Sequence, residues 1–476
     1  MASTAERVVE RGFFLAGDWI ETGEWDEVRS PYSGAVVGRV ARGGTDHVRA
    51  AVDAAERAFR SPLPAHERAT ILDRVAAALR ERQEEFAQVM SAEAGKPIRS
   101  ARGEAGRAVE TYIASADACR TLTGETVPMD ASPAGEGKLA FTLRLPVGIV
   151  GAISPFNFPL NLVAHKLAPA LAAGCPVVLK PAPATPLTAL LLAEVTAEAG
   201  LPAGWLSVVC GPAREIGDVL VDDDRVKALT FTGSGPVGWD LRARASRKRV
   251  ALELGNSTPM IVAADGDLER AASAAATYAF AYSGQACISL QRIYVHRSVH
   301  DAFVRLLLPK VEALVVGNPA DDATDVGPVI DERSRDRVLD WIERSGGEVL
   351  TGGTLTNDGL IRPTVVSAPA EDSELACGEA FGPVCTVQPF DDIDDAIRRA
   401  NATPFGLQAG IFTQDISLAL RAARELEFGG VVINEGPSWR VDHMPYGGIK
   451  ESGNTREGPR YAVRELTEER LVVIQT

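Results

Sequence analysis

The sequence predicts an α/β protein built on parallel sheets, and three observations lead to that class. From residue 147 onward, short β-rich runs alternate with helical patterns. The alternation occurs twice, over 147–255 and again over about 290–434. The runs are predominantly apolar, as in strands covered on both faces, and strands separated by helices argue for βαβ units.

The elements follow in order. Residues 45–60 and 66–92 read as two amphipathic helices, with Thr45 or Asp46 as an N-cap. The stretch 122–146 is rich in Gly, Pro and Thr and reads as an excursion from the main domain. The first series has strands at "VGIVGAIS" (147–154), "CPVVLKP" (175–181), "LSVVCG" (206–211), "VKALTFTGS" (226–234) and "RVALELG" (249–255). Helices at 161–173, 187–199, 213–221 and 236–246 fill the gaps. The second series has strands at 291–296, 363–367, 384–390, 408–413 and 429–434, separated by helices at 298–314, 331–345, 392–401 and 415–427. The loop "SGQACISLQR", Ser283 to Arg292, opens this second series on this reading. A thiol between two α/β domains faces a cleft, where ligands prefer to bind.

The totals exclude several classes. The chain has 476 residues, enough for more than one domain, and 46% apolar with 24% charged residues fits a globular protein. A net charge of −15 shows no basic footprint for nucleic acid. No run of apolar residues reaches the length of a membrane span. The opening "MASTAERVVERG" predicts neither a secretory signal nor a transit peptide. Six scattered cysteines without a CxxC pair suggest no disulfide framework and no zinc site, so a reducing cytoplasm is expected. His165 and His443 invite a metal reading, but His165 has no second ligand at i+4 and is expected to be packed or half exposed; no metal site is predicted.

"TGSGPVG", Thr232 to Gly238, contains G-x-G-x-x-G between a strand and a helix, the context in which glycines let a backbone approach a phosphate. The motif follows the fourth strand of its series, whereas the usual dinucleotide fold places it after the first. A tight turn without a ligand is an equal reading of this motif alone.

Eight stretches together resemble the aldehyde dehydrogenase superfamily: "ISPFNFP" (153–159), "LKPAPATP" (179–186), "FTGSGPVG" (231–238), "ALELGNSTP" (251–259), "GQACIS" (284–289), "EAFGPV" (379–384), "NATPFGL" (401–407) and "MPYGGIKESG" (444–453). They keep the family's order and spacing over nearly the whole chain. The resemblance implies a Rossmann-like parallel-sheet cofactor domain (1–125 and 147–254), an α/β catalytic domain (255–447) and a small β oligomerisation excursion (126–146 and 448–476). Its apolar "LVVI" strand leaves an edge that a partner subunit would cover, so a homodimer or homotetramer is expected.

The resemblance also assigns roles, each of which chemistry can support. Cys287 is the expected nucleophile, since a thiolate attacks an aldehyde carbonyl. Asn157 and the Cys287 backbone N–H are the expected oxyanion donors. An asparagine capping the next helix is the simpler reading of Asn157. Glu253, between leucines, matches the general base that activates water, with a salt bridge to Lys180 as the structural alternative. NAD or NADP is the implied cofactor. Lys180 resembles the lysine at the adenosine ribose, Ser234 and the amides near Gly233 would meet the pyrophosphate, and Glu379 would hold the nicotinamide ribose beside Phe381. Ser154, Pro155, Phe156, Pro183, Gly211, Phe231, Thr232, Leu254 and Gly255 complete the implied cofactor shell.

Several positions depart from the family pattern. Pro183 stands where NAD-preferring members carry a glutamate, so nothing there repels a 2′-phosphate and NADP is expected to be accepted at least comparably with NAD. Asn256 replaces a second glycine, and Phe156 a common tryptophan. Phe158, Ala286, Ile288, Trp439 and Arg440 are the expected substrate-side residues. Ala286 argues against phosphorylated glyceraldehyde, because members that use it carry arginine there. Arg440 would hold a carboxylate or hydroxyl of a short polar aldehyde or semialdehyde, or else simply pair with Asp442. Three other readings compete: transfer of the thioester to coenzyme A, a catalytically silent scaffold, and a cysteine hydrolase that would need a histidine base.

Overall fold

A computed structural model of the chain describes residues 9–476. The first run of alternation builds a seven-stranded sheet in the order Arg249–Glu253, Val226–Thr232, Ile149–Ile153, Val177–Lys180, Leu206–Val208, Phe13–Leu15 and Asp18–Ile20. The strands from Arg249–Glu253 to Leu206–Val208 are parallel, and the last two are antiparallel. The order explains the unusual place of the glycine-rich turn. From Ile149–Ile153 the chain steps to one side for its next two strands, then returns to the other side for Val226–Thr232. The crevice between Ile149–Ile153 and Val226–Thr232 is therefore a topological switch point, where ligands bind beyond the strand ends.

The second run builds another seven-stranded sheet, ordered Glu348–Thr351, Thr364–Ser367, Val384–Phe390, Leu290–His296, Thr258–Val262, Gln408–Phe412 and Gly430–Ile433. It is parallel apart from Glu348–Thr351. A three-stranded antiparallel sheet joins Thr467–Gln475, Lys138–Pro146 and Thr126–Val127. Thr467–Gln475 lies at its edge with Leu471, Val473 and Ile474 exposed. Another small sheet is formed by Val9–Arg11, Val36–Ala41 and Trp25–Arg29.

The structure corrects the sequence reading in four places. The pattern over 66–92 is two helices, Ala65–Glu81 and Gln83–Ala94, broken at Arg82, whose guanidinium is drawn to Glu85, Glu194 and Glu198. The first helix is capped by Gly44, which donates to His47 Nδ1, rather than by Thr45 or Asp46. A 24-residue helix, Ile98–Thr121, was not foreseen. Its buried face is largely small or polar, with Ala101, Ala105, Ala108, Ala116 and Ala118 beside Glu104, Thr111 and Ser115, and Gly103 and Gly106 weaken its propensity, so its apolar signal is faint. The second sheet begins earlier than expected, with Thr258–Val262 and the helix Leu268–Phe280. Pro259 disguised that strand; a register shift between Thr258 and Pro259 accommodates its missing N–H. The cysteine loop thus follows the first strand and helix of the second sheet.

No described helix is long and apolar enough to cross a membrane, and no cluster of three or more metal-ligating side chains occurs among the described residues.

Candidate active site

A cavity of about 760 Å³ opens over the carboxyl ends of the first sheet. Cys287, Asn157 and Glu253 all line it. So do Ser154, Pro155, Phe156, Lys180, Pro183, Phe231, Thr232, Gly233, Ser234, Leu254, Gly255, Glu379 and Phe381. Each element delivers its residues at a strand end: Ser154 to Asn157 after Ile149–Ile153, Lys180 at the end of Val177–Lys180, the glycine-rich turn after Val226–Thr232, and Glu253 at the end of Arg249–Glu253. Gly211 is the exception. Its φ of +149° lets it pack against the Gly43 carbonyl, outside the cavity.

The cysteine loop is held in a strained path. Tyr282, Ser283 and Gly284 run through φ values of 49°, 56° and 70°, a conformation that costs non-glycine residues free energy unless the surroundings enforce it. The Tyr282 hydroxyl donates to the Ala94 carbonyl and the Ser283 hydroxyl to the Gly327 carbonyl. The Gln285 side chain accepts from the Ile330 amide at 2.8 Å. A Cβ at Gly284 would sit 2.0 Å from the Gly382 carbonyl oxygen, so this loop lies directly on the one carrying Glu379 and Phe381. Asn157, 4% exposed, donates from Nδ2 to the Gln285 carbonyl at 2.9 Å. Its amide therefore ties the strand end to the cysteine loop and caps no helix. Its second N–H and the Cys287 amide have no acceptor among the described residues.

Cys287 keeps part of its surface open to the cavity, and desolvation pushes its thiol up to about 12. A hydrogen bond with Tyr446 and the charge of Arg440 oppose that shift. Glu253 is 5% exposed, and neither carboxylate oxygen has a hydrogen-bond partner among the described residues. Burial, and then the charge of Glu457, raise this carboxyl well above its ordinary range; Arg440 and Lys166 pull the other way. Lys166, buried, donates to Thr232 Oγ1 at 2.6 Å and Thr230 Oγ1 at 3.1 Å. Glu253 makes no ion pair with Lys180.

The glycine-rich turn, the N-terminus of the helix Gly235–Arg244 and the strand ends fit a nicotinamide dinucleotide. A Cβ at Gly255 would meet Glu379 Oε2 at 2.3 Å, so only glycine lets that carboxylate reach over the backbone, where it accepts from the Asn256 amide at 3.0 Å. Asn256 is absorbed by its surroundings: Nδ2 donates to Thr258 Oγ1 and the Gln408 carbonyl. Phe156 and Phe381 meet edge-on at 5.9 Å. Lys180 is buried and has no carboxylate partner among the described residues, and desolvation lowers its ammonium to about 8. Arg214 and Arg244 also line the cavity, which the sequence reading did not anticipate.

None of the expected substrate-side residues lines this cavity. Ile288 packs beyond the sulfur with Leu407 and Tyr446. Ala286 is partly buried in the cysteine loop, and Phe158 meets Tyr282 edge-on at 6.2 Å under the Lys96 ammonium. Trp439 is 45% exposed, held by its carbonyl, which accepts from Gln408. The Arg440 side chain is only 7% exposed and makes no ion pair with Asp442. Its guanidinium lies 3.7 Å from the Tyr446 ring centroid, with Glu457 at 3.7 Å and His165 at 3.3 Å, and its Nε has no acceptor among the described residues. Asp442 instead binds Arg107 at 2.8 and 3.1 Å, Asn161 at 2.9 Å and His165 at 3.0 Å. His165 is accordingly packed, not half exposed.

Doubly layered parallel sheets, a switch-point cavity and a single thiol set among an amide, a carboxylate and a glycine-rich turn describe a nucleotide-dependent oxidoreductase with a covalent step. The chain belongs to the aldehyde dehydrogenase family, whose model matches residues 19–472. It is 45% identical over 472 residues to the 3-sulfolactaldehyde dehydrogenase of Priestia aryabhattai, covering 98% of each chain. It superposes with a TM-score of 0.96 and 38% identity on aldehyde dehydrogenase 21 of Physcomitrella patens in complex with the reaction product succinate, over 98% of this chain and 99% of that one. NADP-dependent glyceraldehyde-3-phosphate dehydrogenase of Bacillus halodurans, complexed with NADP, matches at TM-score 0.95 and 36% identity, over 98% and 99% of the two chains. NAD or NADP is therefore the cofactor of this dehydrogenase.

Proposed function

We propose that the enzyme oxidises a short aldehyde bearing an anionic group to its carboxylic acid, with Cys287 as nucleophile, Asn157 and the Cys287 amide as oxyanion donors, and Glu253 as the base. The observation that supports this is the meeting of all three side chains in one cavity with the cofactor residues. Cys287 Sγ adds to the aldehyde carbon, and the oxygen, now negative, takes hydrogen bonds from the Asn157 amide and the Cys287 N–H. A nicotinamide dinucleotide, when bound, would be held by Lys180 at its adenosine ribose, Ser234 at its pyrophosphate and Glu379 at its nicotinamide ribose, and would supply the acceptor for the hydride that the carbon bonded to sulfur loses as its C=O re-forms, leaving a thioester on Cys287. Glu253 then removes a proton from water, whose oxygen adds to the thioester carbon. The C–S bond breaks, the acid leaves, and Cys287 is regenerated as the thiolate.

Arg440 and Arg107 support an anionic substrate. Arg440 Nε is a buried donor without an acceptor among the described residues, and the bidentate pair of Arg107 with Asp442 leaves its Nη1 free. A sulfonate or carboxylate beyond the aldehyde would complete these donors. Arg440→Met is expected to lower kcat/KM for a sulfonated or carboxylated aldehyde at least about tenfold further than for a neutral aldehyde of equal length. Equal losses on both would remove Arg440 from contact with the substrate anion.

Lys180, with Pro183 beside it and no carboxylate partner among the described residues, supports acceptance of a 2′-phosphate. Steady-state kinetics across a panel of short aldehydes, read from the reduced cofactor, are expected to show kcat/KM with NADP equal to or above that with NAD. A strong NAD preference would contradict this part, and no turnover of any aldehyde with either cofactor would contradict the whole reading.

The boundaries at 125, 147, 254 and 447, the homodimer or homotetramer covering the Thr467–Gln475 edge, and a cytoplasmic setting complete the proposal. The exposed Leu471, Val473 and Ile474 on that edge support the assembly.

A further inference from the structure

The apolar cluster behind the thiol contains one polar atom aimed at the sulfur. Tyr446 is 3% exposed, and its ring packs with Ile288, Leu407 and Met444. Its hydroxyl lies 2.9 Å from Cys287 Sγ. The ring is clamped from two directions. Its backbone exchanges hydrogen bonds with Glu457, at 3.1 Å from the Tyr446 amide and 2.5 Å from the Glu457 amide. The Arg440 guanidinium lies over its face, 3.7 Å from the centroid, itself steadied by Glu457 and His165.

We propose that Tyr446 is a catalytic residue whose hydroxyl donates a hydrogen bond to the Cys287 thiolate, with Arg440 as the positioning residue that holds the donor against the sulfur. This rests on Cys287 being the nucleophile. The direction of the bond follows from chemistry. A thiol can donate or accept, but a thiolate can only accept, so the phenol must be the donor once the proton has left. Hydrogen bonds to an ionised partner are stronger than neutral ones, so the contact favours the thiolate over the thiol. A cation on the ring face draws electron density from the phenol and makes it a better donor. No bond to Tyr446 breaks: it keeps its proton, and the proton lost by Sγ goes to solvent.

The charged and titratable groups facing the sulfur are few. Glu253 and Glu379 disfavour the thiolate, as does desolvation; Tyr446 and Arg440 oppose them. A phenylalanine would fill the same apolar cluster equally well. The single oxygen that distinguishes tyrosine is the atom that reaches the sulfur.

The test is alkylation of Cys287 by iodoacetamide as a function of pH, resolved by peptide mass spectrometry because five other cysteines are present. Tyr446→Phe is expected to move the midpoint up by about one pH unit, the scale of a lost hydrogen bond to a charged group. The value of kcat/KM should fall about tenfold near neutrality, as the thiolate fraction falls, and recover toward the parent enzyme at high pH. The cofactor KM should not change. Fluorotyrosine at position 446, a more acidic donor, should move the midpoint the other way. An unshifted midpoint in both variants overturns the proposal. So does a Tyr446→Phe loss that is independent of pH, or one confined to 2-hydroxyaldehydes, which would make the phenol a contact for the substrate hydroxyl. Turnover that survives Cys287→Ser would instead overturn the underlying assignment and the proposal with it.

Discussion

Cys287→Ser is expected to abolish aldehyde oxidation, lowering kcat/KM by about 10⁴-fold or more, the scale found when a covalent nucleophile is removed. The reason is local. Serine would fit the loop, because the strained turn through Tyr282 to Gly284 is fixed by contacts that do not involve the sulfur. Its hydroxyl ionises far less readily than a thiol, and desolvation here already opposes ionisation. No other cysteine can substitute. Cys119, Cys175, Cys210 and Cys385 are buried, Cys377 is partly so, and none of the five lines the cavity. Steady-state rates beside an unchanged melting temperature check this result. Retention of more than a trace of activity would displace Cys287 from its role.

Glu253→Gln carries the second large effect, and it should separate the two halves of the reaction. Attack and hydride loss do not need the carboxylate, so a single turnover of reduced cofactor should still appear as a burst. Thioester hydrolysis does need it, and steady-state kcat should fall by about 10²- to 10⁴-fold, the range for loss of a positioned base. The pH dependence carries the same signature. The carboxyl is held well above its ordinary range by burial and by Glu457. It acts as a base only after losing its proton, so kcat should rise as pH increases through that raised value and fall as pH drops below it. The glutamine variant should lose this limb. A variant that loses the burst along with turnover would place Glu253 before the thioester instead.

Most of the residues that meet in the cavity were legible in the sequence because they are local. Asn157, Lys180, Ser234 and Glu253 each sit within a few residues of a strand's carboxyl end, and a parallel sheet brings those ends together. Strand order, which puts the glycine-rich turn at the switch point, could not be read from the order of strands along the chain. Gly211 was misplaced because a glycine after a strand signals close approach without saying to what; here the neighbour is Gly43.

The far side of the sulfur was much less legible. Arg107 and Asp442 lie 335 residues apart, yet they form one bidentate pair. Arg107 belongs to the alanine-rich helix that the apolar pattern failed to announce. Lys166 and Glu457 resemble ordinary charged residues until burial brings their charges to bear on Glu253. The sequence offers Arg440 as a substrate-side residue or a partner of Asp442; the structure stacks its guanidinium on the Tyr446 ring. Tyr446 itself looks like core aromatic in "MPYGG", since nothing in the sequence shows which way its hydroxyl points.

The most direct test of convergence is to trap the thioester. Glu253→Gln, mixed with NADP and a short anionic aldehyde and then acid-quenched, should carry one acyl group on the Cys287 peptide by mass spectrometry. The parent enzyme should carry little, because Glu253 clears it. An acyl group on another cysteine, or turnover in the parent enzyme with no adduct at Cys287 in the variant, would contradict the account.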